Sequence, residues 1–518
     1  MNFDTLIING TVVDGTGGAE IKADIGIKGG IIKAMGDLAG SETGRTIDAA
    51  GLVVSPGFID LHTHADIALI TEPDLPPTIR QGVTTVGCSS CGIGFAPLSA
   101  ETVPDMVKWW GSIFPGSESL QSQWSGVEEY LGLIDGAVAP NVAFMVPHGA
   151  IRAGITGFTD RPADEDEINK MNAWLEKIMA AGIFGLSTSP FYAPMREATR
   201  EEFTSLATVV AAAGGVVTVH IRDYFESIFD HVEEFLTVAR DSGASLEISH
   251  LQLAAESMWG RSKELLARLE AAVESGIDVH YDLYPYPAGS TFLSSYLPAW
   301  CTESDAATTL EFLRDPESRK RIVKEIAESS FPWHRAYPST IKRNTDLLGI
   351  DFRTAANVRG MDLYEFIVEL LIEEELDVSF VAFLQDENDL RNFTVHPLHI
   401  VASDSLYMKG KPHPRLHGTF PRVLAKLVRE EGWFSLSEAV RQMTGAPAAK
   451  LGLRDRGTVQ KGLAADITVF DPEKIVDKAT FEKPAVFPEG IGWVLVNGEA
   501  VVAEGKPTGV RPGRVLRK

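Results

Sequence analysis

The chain has 518 residues, a formal net charge of −24 at pH 7, and 44% hydrophobic against 23% charged residues. These proportions are ordinary for a soluble globular protein, and the negative charge argues against nucleic acid or an anionic membrane as a partner, because both would repel it. Three cysteines, Cys88, Cys91 and Cys301, are too few for a disulfide framework. The chain begins without a signal-peptide pattern and has no apolar run long enough to span a bilayer, so we expect a cytoplasmic protein.

Both ends of the chain have the pattern of short β-strands. Residues 1–55 alternate polar and apolar positions between Asn-Gly and Gly-Gly turn signals, and the C-terminal segments ADITVFD and GWVLVNGEAVVAEG do the same. Chain termini tend to lie close together. We therefore expect residues 1–55 and 455–518 to form one small β-sandwich domain.

The middle of the chain, residues 56–454, alternates short apolar runs with stretches of helical period. This pattern is typical of repeated βα units around a parallel sheet, and it predicts an α/β protein with a TIM-like (β/α)8 barrel. The predicted strands lie in LVVSPGFIDLHTH, GVTTVGCSSC, NVAFMVPHG, GIFGLSTS, GGVVTVHI, SLEISH, GIDVHYDLY and LHIVASD.

A much longer segment separates the seventh run from the eighth. Residues from about 285 to 345 are rich in proline, serine and aromatic residues. We expect them to form an insertion that lies over the mouth of the barrel as a lid.

Side chains that can bind a metal recur where the predicted strands end. In a barrel of this kind the carboxyl ends of the strands converge on the mouth, where active sites lie. His62 and His64 are spaced i and i+2 on a strand and point to the same face, so both imidazoles can reach one ion. Thiolate, imidazole and carboxylate together suit zinc. The candidates are His62, His64, Cys91, His220, His250 and Asp404.

Each candidate has an ordinary structural explanation when it is considered alone. A histidine that closes a strand is more often a hydrogen-bonded core residue, and an aspartate after an apolar run, such as Asp404, is often a helix N-cap. Their coincidence at the same end of successive strands favours a metal site. For three further histidines a structural role is at least as good an explanation: His148, His413 and His417.

The pair Cys88 and Cys91 has the spacing of a redox motif or of half a zinc knuckle. A knuckle needs a second ligand pair, and none follows in the sequence. We therefore expect Cys91 to be a single metal ligand and Cys88 to pack in the core.

The segment SPGFIDLHTHAD resembles the first metal-binding strand of the amidohydrolase superfamily. Other segments resemble its N-acyl-D-amino-acid deacylase (D-aminoacylase) family: QGVTTVGCSSCGIGFAP, WGR at 259–261, DLYPYPAGST, VASDS followed by PHPRLHGTFPRVL, and PEGIGWVLVNGEAVVAEGKPTGVRPGRVLR. The similarity extends from the first strand to the C-terminus. The His-x-His strand is typical of the whole superfamily, whereas CGIGFAP and HGTFPRVL are typical of this family.

This resemblance implies zinc held tightly by Cys91, His220 and His250. His62 and His64 would form a second, weaker metal position. Many relatives place a bridging Lys or Glu on the fourth strand, but GIFGLSTS contains neither. The resemblance implies that Cys91 takes this bridging role.

The resemblance also implies that Asp404 is the general base. Tyr192, Tyr284 and Ser290 fall at positions that resemble the substrate contacts of the family. Tyr284 is a candidate donor to the oxyanion. Arg222, just past a predicted ligand, is a candidate to hold a substrate carboxylate, although it could equally pair with Asp223.

Some positions depart from the family pattern. Members that act on free N-acyl-D-amino acids commonly carry a lysine two residues after the sixth-strand histidine, where this chain has Gln252. The residue after Asp404 is Ser405 in place of glycine, and Tyr224 replaces a glutamate. The metal ligands and the base are intact, whereas the substrate pocket is altered.

We therefore expect zinc-dependent hydrolysis of a linear amide in a small N-acyl compound, most simply deacylation of an N-acyl-D-amino acid, with Asp404 as the base. The oligomeric state stays open. A first alternative is a cyclic amide or imide hydrolase resembling hydantoinases and dihydroorotases, which usually carry the bridging lysine. A second is a non-catalytic scaffold on a degenerate barrel, which loss of a ligand or of the base would have favoured.

Overall fold

The centre of the molecule is a parallel β-sheet that curves into a barrel. The computed structural model describes residues 2–99, 101–119, 124–159, 161–302 and 305–518. Eight strands follow one another around the sheet in chain order. We number these barrel strands 1 to 8, and their bounds are Phe58–Asp60, Val83–Cys88, Asn141–Pro147, Gly185–Thr188, Val216–Val219, Ser245–Ile248, Val279–Leu283 and His399–Val401. All eight lie in the predicted apolar runs.

The gap between barrel strands 1 and 8 is bridged just beyond their carboxyl ends. Thr63–His64 pairs in parallel with Ser405–Leu406. The backbone N–H of Asp404 also donates to the carbonyl of His62 at 3.0 Å. This short ladder brings the predicted base to the predicted histidine pair.

Amphipathic helices surround the barrel and fix the register of each βα unit. Several begin at an acidic or hydroxyl N-cap: Asp164 accepts from the backbone N–H of Glu167, and Thr199 from that of Glu202. The bounds of these helices are Val127–Ile134, His148–Thr156, Glu165–Met179, Arg200–Ala212, Ile228–Ser242, Ser262–Glu274, Glu387–Thr394, Arg415–Arg422, the π-helical Val423–Glu430, Leu436–Met443 and Gly445–Leu451. Shorter helices after strands 1 and 2 are Ala68–Thr71, Pro76–Ile79 and Val103–Trp110.

A small antiparallel sheet and four helices lie between barrel strands 7 and 8, and we call this segment the lid. Its sheet has the strands Ala288–Phe292, Ser379–Phe383 and Ala336–Thr340, with Ser379–Phe383 in the middle. The sheet thus takes in residues beyond 345. Its helices are Ala306–Arg314, Pro316–Glu328, Phe352–Val358 and Leu363–Glu373.

Strands from both chain ends form a β-sandwich beside the barrel. One sheet has the order Ile31–Gly36, Asp24–Lys28, Asn2–Ile8 and Glu42–Asp48. The other has the order Lys506–Pro507, Glu499–Ala503, Ile491–Val496, Ile467–Phe470, Val53–Pro56, Thr11–Val12 and Ile21–Lys22. Ile467–Phe470 pairs antiparallel with Val53–Pro56, which joins the two chain ends directly. The predicted fold class, a TIM-like barrel with a small β-sandwich and an insertion, is confirmed; the exact domain boundaries stay predictions.

Apolar side chains between the two sheets hold the sandwich together. Ile27 and Ile467 are almost fully buried in the same cluster. Among the described residues, no helix combines the length and the apolar character that crossing a bilayer requires.

We predict that Ile467→Ala lowers the melting temperature of the protein, because it removes buried methyl groups and leaves a cavity costing about 2–5 kcal/mol. The matched control is Ile21→Ala on the same sheet, where the side chain is 47% exposed. Differential scanning calorimetry of both variants checks this, and equal shifts would contradict the assignment of Ile467 to the core.

Candidate metal centre and active site

The predicted metal ligands converge at the carboxyl ends of the barrel strands. Each of them is buried, with a side chain that faces the centre of the mouth. Cys91, His250 and Asp404 adopt left-handed backbone angles, with φ of 54°, 36° and 49°. Such angles are unfavourable for residues other than glycine and cluster at functional sites. The loops after strands 2, 6 and 8 are therefore shaped to turn these three side chains inward.

His62 is oriented by Asp282, an acid on barrel strand 7. Its Nδ1–H donates to Oδ2 of Asp282 at 2.7 Å, and Oδ1 of the same carboxylate accepts the backbone N–H of His250 at 2.7 Å. Asp282 therefore leaves Nε2 of His62 facing the site. That atom lies 3.3 Å from Sγ of Cys91.

His220 and His250 form a second group of donors with Cys91. Nε2 of His250 is 3.6 Å from Sγ of Cys91, and Nδ1 of His220 is 3.0 Å from Nε2 of His250. The ring of Tyr192 packs against His220 with centroids 4.8 Å apart. These contacts confine both imidazoles to the same small volume.

The donor atoms form three overlapping groups in which all atoms lie within 4.8 Å of one another. Cys91 belongs to two of these groups, so one thiolate can serve two neighbouring metal positions. The groups are His62 with His64 and Cys91, Cys91 with His220 and His250, and His62 with His250 and Asp404.

The chemistry of this donor set fits a metal cation. Burial lowers the pKa of His250 to about 4 and that of His220 well below its usual range, so both rings are neutral. Neutral imidazoles present lone pairs, and the two facing nitrogens of these rings are better satisfied by a shared cation than by each other.

Acidic groups close to the histidines also require positive charge. Burial alone would lower the pKa of His62, but Asp282, Cys91 and Asp404 outweigh it and raise that pKa well above its usual value. Burial raises the pKa of the Cys91 thiol to about 11, so a thiolate there needs a cation beside it. The residues present thus fit a metal centre.

Asp404 is ionised despite its burial. Burial would raise the pKa of this carboxyl, but Arg415 and His62 together hold it well below its usual range. Its Oδ1 lies 3.2 Å from Nε2 of His64, and its Oδ2 lies 2.8 Å from NH1 of Arg415. An ionised carboxylate next to the donor groups can accept a proton.

A cavity opens between the donor groups and the lid. The residues that line it are His64, Cys91, Ile93, Ile113, Phe191, Tyr192, His220, Asp223, Tyr224, Phe225, His250, Gln252, Tyr284, Gly289, Ser290, Thr291, Tyr296, Phe380, Ala382, Leu384, Asp404 and Leu406. The lid contributes seven of these residues, from Gly289 to Leu384. The barrel supplies the donors, and the lid supplies much of the wall that a substrate would meet.

Three of the four predicted substrate contacts line this cavity. Tyr192 and Thr291 share a hydrogen bond between their hydroxyls at 2.8 Å. Burial raises the pKa of Tyr284 well above its usual value, so its hydroxyl keeps its proton. The hydroxyl of Ser290 is buried and makes no hydrogen bond within the described residues. Tyr284 and Ser290 thus offer donors to a bound molecule.

Arg222 does not line the cavity, and this is a correction to the sequence-based expectation. Its guanidinium binds both carboxylate oxygens of Glu234, at 2.8 and 2.9 Å, rather than Asp223. It also donates to the carbonyls of Arg196 and Ala198. Its donors are therefore committed to neighbouring structure, although the residues that follow it, Asp223 to Phe225, line the cavity.

Sequence analysis missed Arg415, a fully buried arginine beside Asp404. Its guanidinium lies over the ring of Tyr284 at 4.6 Å and donates to the carbonyl of Ser290 at 3.1 Å. Its NH1 forms the ion pair with Asp404 given above, and its Nε has no hydrogen-bond partner among the described residues. Arg415 lies in the segment PHPRLHGTFPRVL, which resembles the D-aminoacylase family. Nothing else in the sequence predicted a role for this arginine.

The remaining candidate residues have structural roles. His148 binds Thr188 and Glu202. His413 donates to the carbonyl of Ala288 at 2.9 Å and accepts the backbone N–H of Arg415 at 3.0 Å. Cys88 is buried at the end of barrel strand 2 and forms no disulfide. None of these contacts brings a further donor to the candidate metal centre.

Comparison with known proteins identifies relatives of this chain. A model of the amidohydrolase family matches residues 45–322 and 384–502. D-aminoacylase of Alcaligenes xylosoxydans xylosoxydans is 36% identical over 520 residues, which cover 100% of this chain and 98% of the relative. The gap between the two matched ranges falls in the lid.

Several solved structures are similar to this chain over its full length. One concerns the binuclear metal center of D-aminoacylase, with one-metal activation and second-metal attenuation; it is 37% identical, with a TM-score of 0.86 and full coverage of both chains. Another is N-acyl-D-glutamate deacylase from Bordetella bronchiseptica complexed with zinc and a phosphonate mimic of the tetrahedral intermediate, at 31% identity, a TM-score of 0.86 and full coverage of both chains. L-hydantoinase from Arthrobacter aurescens, 16% identical with a TM-score of 0.60 over all of both chains, shares the fold alone.

Full-length relatives above 30% identity and a family model that spans more than half of the chain identify its family. The chain belongs to the amidohydrolase family and is a hydrolase that acts on carbon–nitrogen bonds other than peptide bonds.

Proposed function

We propose that this protein is a zinc-dependent deacylase of N-acyl-D-amino acids. The observation that carries the proposal is the arrangement of one cysteine shared by two donor groups, with an ionised aspartate at their edge. The named activities of the full-length relatives, D-aminoacylase and N-acyl-D-glutamate deacylase, supply the substrate class.

Cys91, His220 and His250 would hold the tighter zinc ion, and His62 and His64 would share Cys91 to form the weaker position. One soft thiolate with several imidazoles is a donor set that zinc accepts readily. Zinc supplies a Lewis acid that polarises the amide carbonyl when it is bound. The backbone angle of Cys91 and the Asp282 contact to His62 hold these donors in place beforehand.

Asp404 is the general base in this proposal. Its carboxylate accepts a proton from the attacking water and returns it to the nitrogen of the leaving amine. Arg415 is the foremost of the charges that hold its pKa low against burial, so the carboxylate is ionised and can accept the proton at neutral pH. The hydrogen bond from the backbone N–H of Asp404 to the carbonyl of His62 fixes the distance of Asp404 from the donors.

Cavity residues would orient the substrate. The Tyr284 hydroxyl, protonated at neutral pH, can donate to the oxygen on which negative charge develops. Among the described residues, the hydroxyl of Ser290 and the Nε–H of Arg415 behind it have no hydrogen-bond partner, while NH1 of Arg415 pairs with Asp404. We propose that Arg415, and not Arg222, is the cation that attracts the substrate carboxylate, since arginine pairs strongly with carboxylates.

A cyclic amide hydrolase remains the second candidate, with less support. The hydantoinase shares only the fold at 16% identity. Barrel strand 4 here carries Gly185–Thr188, which offers no lysine to bridge two metals. A non-catalytic scaffold has no support, because every predicted donor and the base converge on one cavity.

A turnover screen of the zinc-loaded protein tests the proposed function. We expect release of free amine from N-acetyl-D-amino acids and far slower reaction with the matched L forms, carboxamides and cyclic imides. Ninhydrin or coupled amine detection measures the product. Hydrolysis of cyclic imides with none of any N-acyl-D-amino acid would support the second candidate and contradict the first.

We predict that Cys91→Ala loses metal, because it removes the donor common to two groups. Cys88→Ala is the matched control: it deletes a thiol that is equally buried but belongs to none of these groups. Metal content after loading and dialysis, measured by inductively coupled plasma mass spectrometry, distinguishes them. Full zinc occupancy in the Cys91 variant would refute its assignment as a ligand.

We predict that Asp404→Asn retains metal but reduces kcat by a factor of about 100 or more, because the amide cannot accept the proton. Asp278→Asn is the control, since Asp278 lies at the amino end of barrel strand 7, opposite the mouth. Steady-state kinetics with metal analysis checks both. Near-normal turnover of metal-loaded Asp404→Asn would remove this residue from the mechanism.

A further inference from the structure

We propose that Ser187, on barrel strand 4, is a positioning residue that holds the loop of Cys91 in the conformation that presents its sulfur to both metal positions. The proposal deepens the proposed function and rests on it, since it takes Cys91 as a metal ligand. Ser187 itself belongs to none of the three donor groups and is not one of the residues that line the cavity. Its effect on a metal is therefore exerted through the loop.

The loop that carries Cys91 is turned against the backbone preferences of its residues. Ser89, Cys91 and Gly92 have φ of 61°, 54° and 70°. Glycine adopts such angles freely, whereas serine and cysteine do not, because their Cβ comes too close to the following carbonyl. Residues in this region persist where the surrounding structure holds them. The loop therefore depends on contacts from its neighbours.

Ser187 makes a contact that spans this loop. Its Oγ accepts the backbone N–H of Gly92 at 3.0 Å and donates to the backbone carbonyl of Ser89. One hydroxyl thus binds the backbone on both sides of Cys91. The side chain of Ser187 is fully buried, so bulk water does not compete for either hydrogen bond.

A serine hydroxyl suits this position because it can donate one hydrogen bond and accept another at the same time. Ser187 uses both capacities on the same loop. An alanine at this position would leave the N–H of Gly92 and the carbonyl of Ser89 without this partner in the protein interior. Buried backbone groups without a partner are unfavourable, so the loop would relax toward another conformation.

Two further contacts hold one end of the loop each. Oδ2 of Asp66 accepts the backbone N–H of Ser89 at 3.1 Å. The backbone N–H of Gly149 donates to the carbonyl of Gly92 at 2.9 Å. Neither contact fixes the two ends relative to each other. The hydrogen bonds to Ser187 do so, and they thereby set the direction of the side chain between them.

The loop also packs closely against the chain that follows barrel strand 4. A Cβ at Gly92 would lie 2.6 Å from the sulfur of Met195 and 3.0 Å from the backbone nitrogen of Ser189. These distances are shorter than van der Waals contact, so glycine is required there. The hydrogen bonds to Ser187 and this close packing together fix where the loop lies relative to barrel strand 4.

The other two left-handed loops of the metal centre are held by comparable contacts. The backbone N–H of His250 donates to Asp282, and that of Asp404 donates to the carbonyl of His62. Ser187 supplies the corresponding contact for the loop after barrel strand 2. Each of the three loops is thus held by a hydrogen bond from another part of the barrel.

The position of the sulfur matters because Cys91 belongs to two donor groups. Its Sγ lies 3.3 Å from Nε2 of His62 and 3.6 Å from Nε2 of His250. Removing a group that orients a metal ligand typically lowers metal affinity or activity by about 10- to 100-fold. A shift of the Cys91 loop would therefore weaken both metal positions together.

Titration with cobalt(II) tests the proposal, because a cobalt–thiolate bond absorbs in the near ultraviolet and reports the contact with Cys91 directly. The full chain is freed of metal and titrated, and the charge-transfer band and the apparent Kd are recorded. We expect Ser187→Ala to raise the Kd by about 10-fold or more and to weaken the band at equal cobalt occupancy. The reason is that the sulfur is no longer held at its place beside the histidines.

Ser55→Ala is the matched control. It also removes a fully buried serine hydroxyl, one that lies in the sandwich and donates to the carbonyls of Pro56 and Thr468. We expect this variant to keep the wild-type Kd and band. Calorimetry of the metal-free proteins shows whether the two variants lose comparable stability, so that weaker cobalt binding is not mistaken for partial unfolding.

Ser187→Cys separates hydrogen bonding from packing, and it replaces the alanine variant if that variant does not fold. A thiol fills nearly the same space but donates and accepts only weakly. We expect its cobalt affinity to fall in the same direction as that of Ser187→Ala. Wild-type affinity and an unchanged band would mean that packing holds the loop, which overturns the proposal.

The outcomes separate this proposal from the proposed function. A wild-type Kd and band in Ser187→Ala overturns the role of Ser187, while the metal centre and the deacylase function stand. A wild-type protein that binds cobalt without any thiolate band removes Cys91 from the metal centre. That result overturns the proposed metal assignment and this inference with it, whereas the turnover screen tests the deacylase activity independently.

Discussion

The carboxylate of Asp282, buried within the barrel, holds two parts of the metal centre at once. One oxygen accepts Nδ1–H of His62 and the other accepts the backbone N–H of His250. Removing either contact would leave a charged group without a partner in a dry interior, which costs several kcal/mol. Burial and the charge of Asp282 raise the pKa of the nearby Glu247 well above its usual value. A protonated acid therefore lies beside an ionised one. The pair of Asp282 and Glu247 therefore has a single negative charge, which lies on Asp282, the residue that orients His62.

The arrangement of the other donors depends on this contact between Asp282 and His62. Oriented by Asp282, His62 presents Nε2 to Cys91 and Asp404, and the ladder beyond barrel strands 1 and 8 brings Asp404 to the same place. The donors are buried imidazoles, a thiol and a carboxylate, an arrangement that is favourable with a cation and unfavourable without one. A metal centre therefore explains why the protein tolerates left-handed backbone angles at three of these residues.

The lid decides what can reach this centre. Its central strand, Ser379–Phe383, and its first strand, Ala288–Phe292, supply both the hydroxyl of Ser290 and the apolar wall. The barrel provides the candidate donors, which sit at strand ends that the fold dictates. The lid is thus a layer of structure separate from the donors that forms part of the cavity wall.

The sequence by itself determined the eight barrel strands, the sandwich built from both chain ends, and the convergence of the six side chains predicted to bind metal or to act as the base. Apolar periodicity and strand-end position fix where such residues must lie, and local geometry alone turns His62 and His64 to one face. Tertiary structure decided the partners of the loop residues. Arg222 turned to Glu234, and Arg415, unmarked in the sequence, came to Asp404, because a side chain on a loop is oriented by whichever distant residue folds against it.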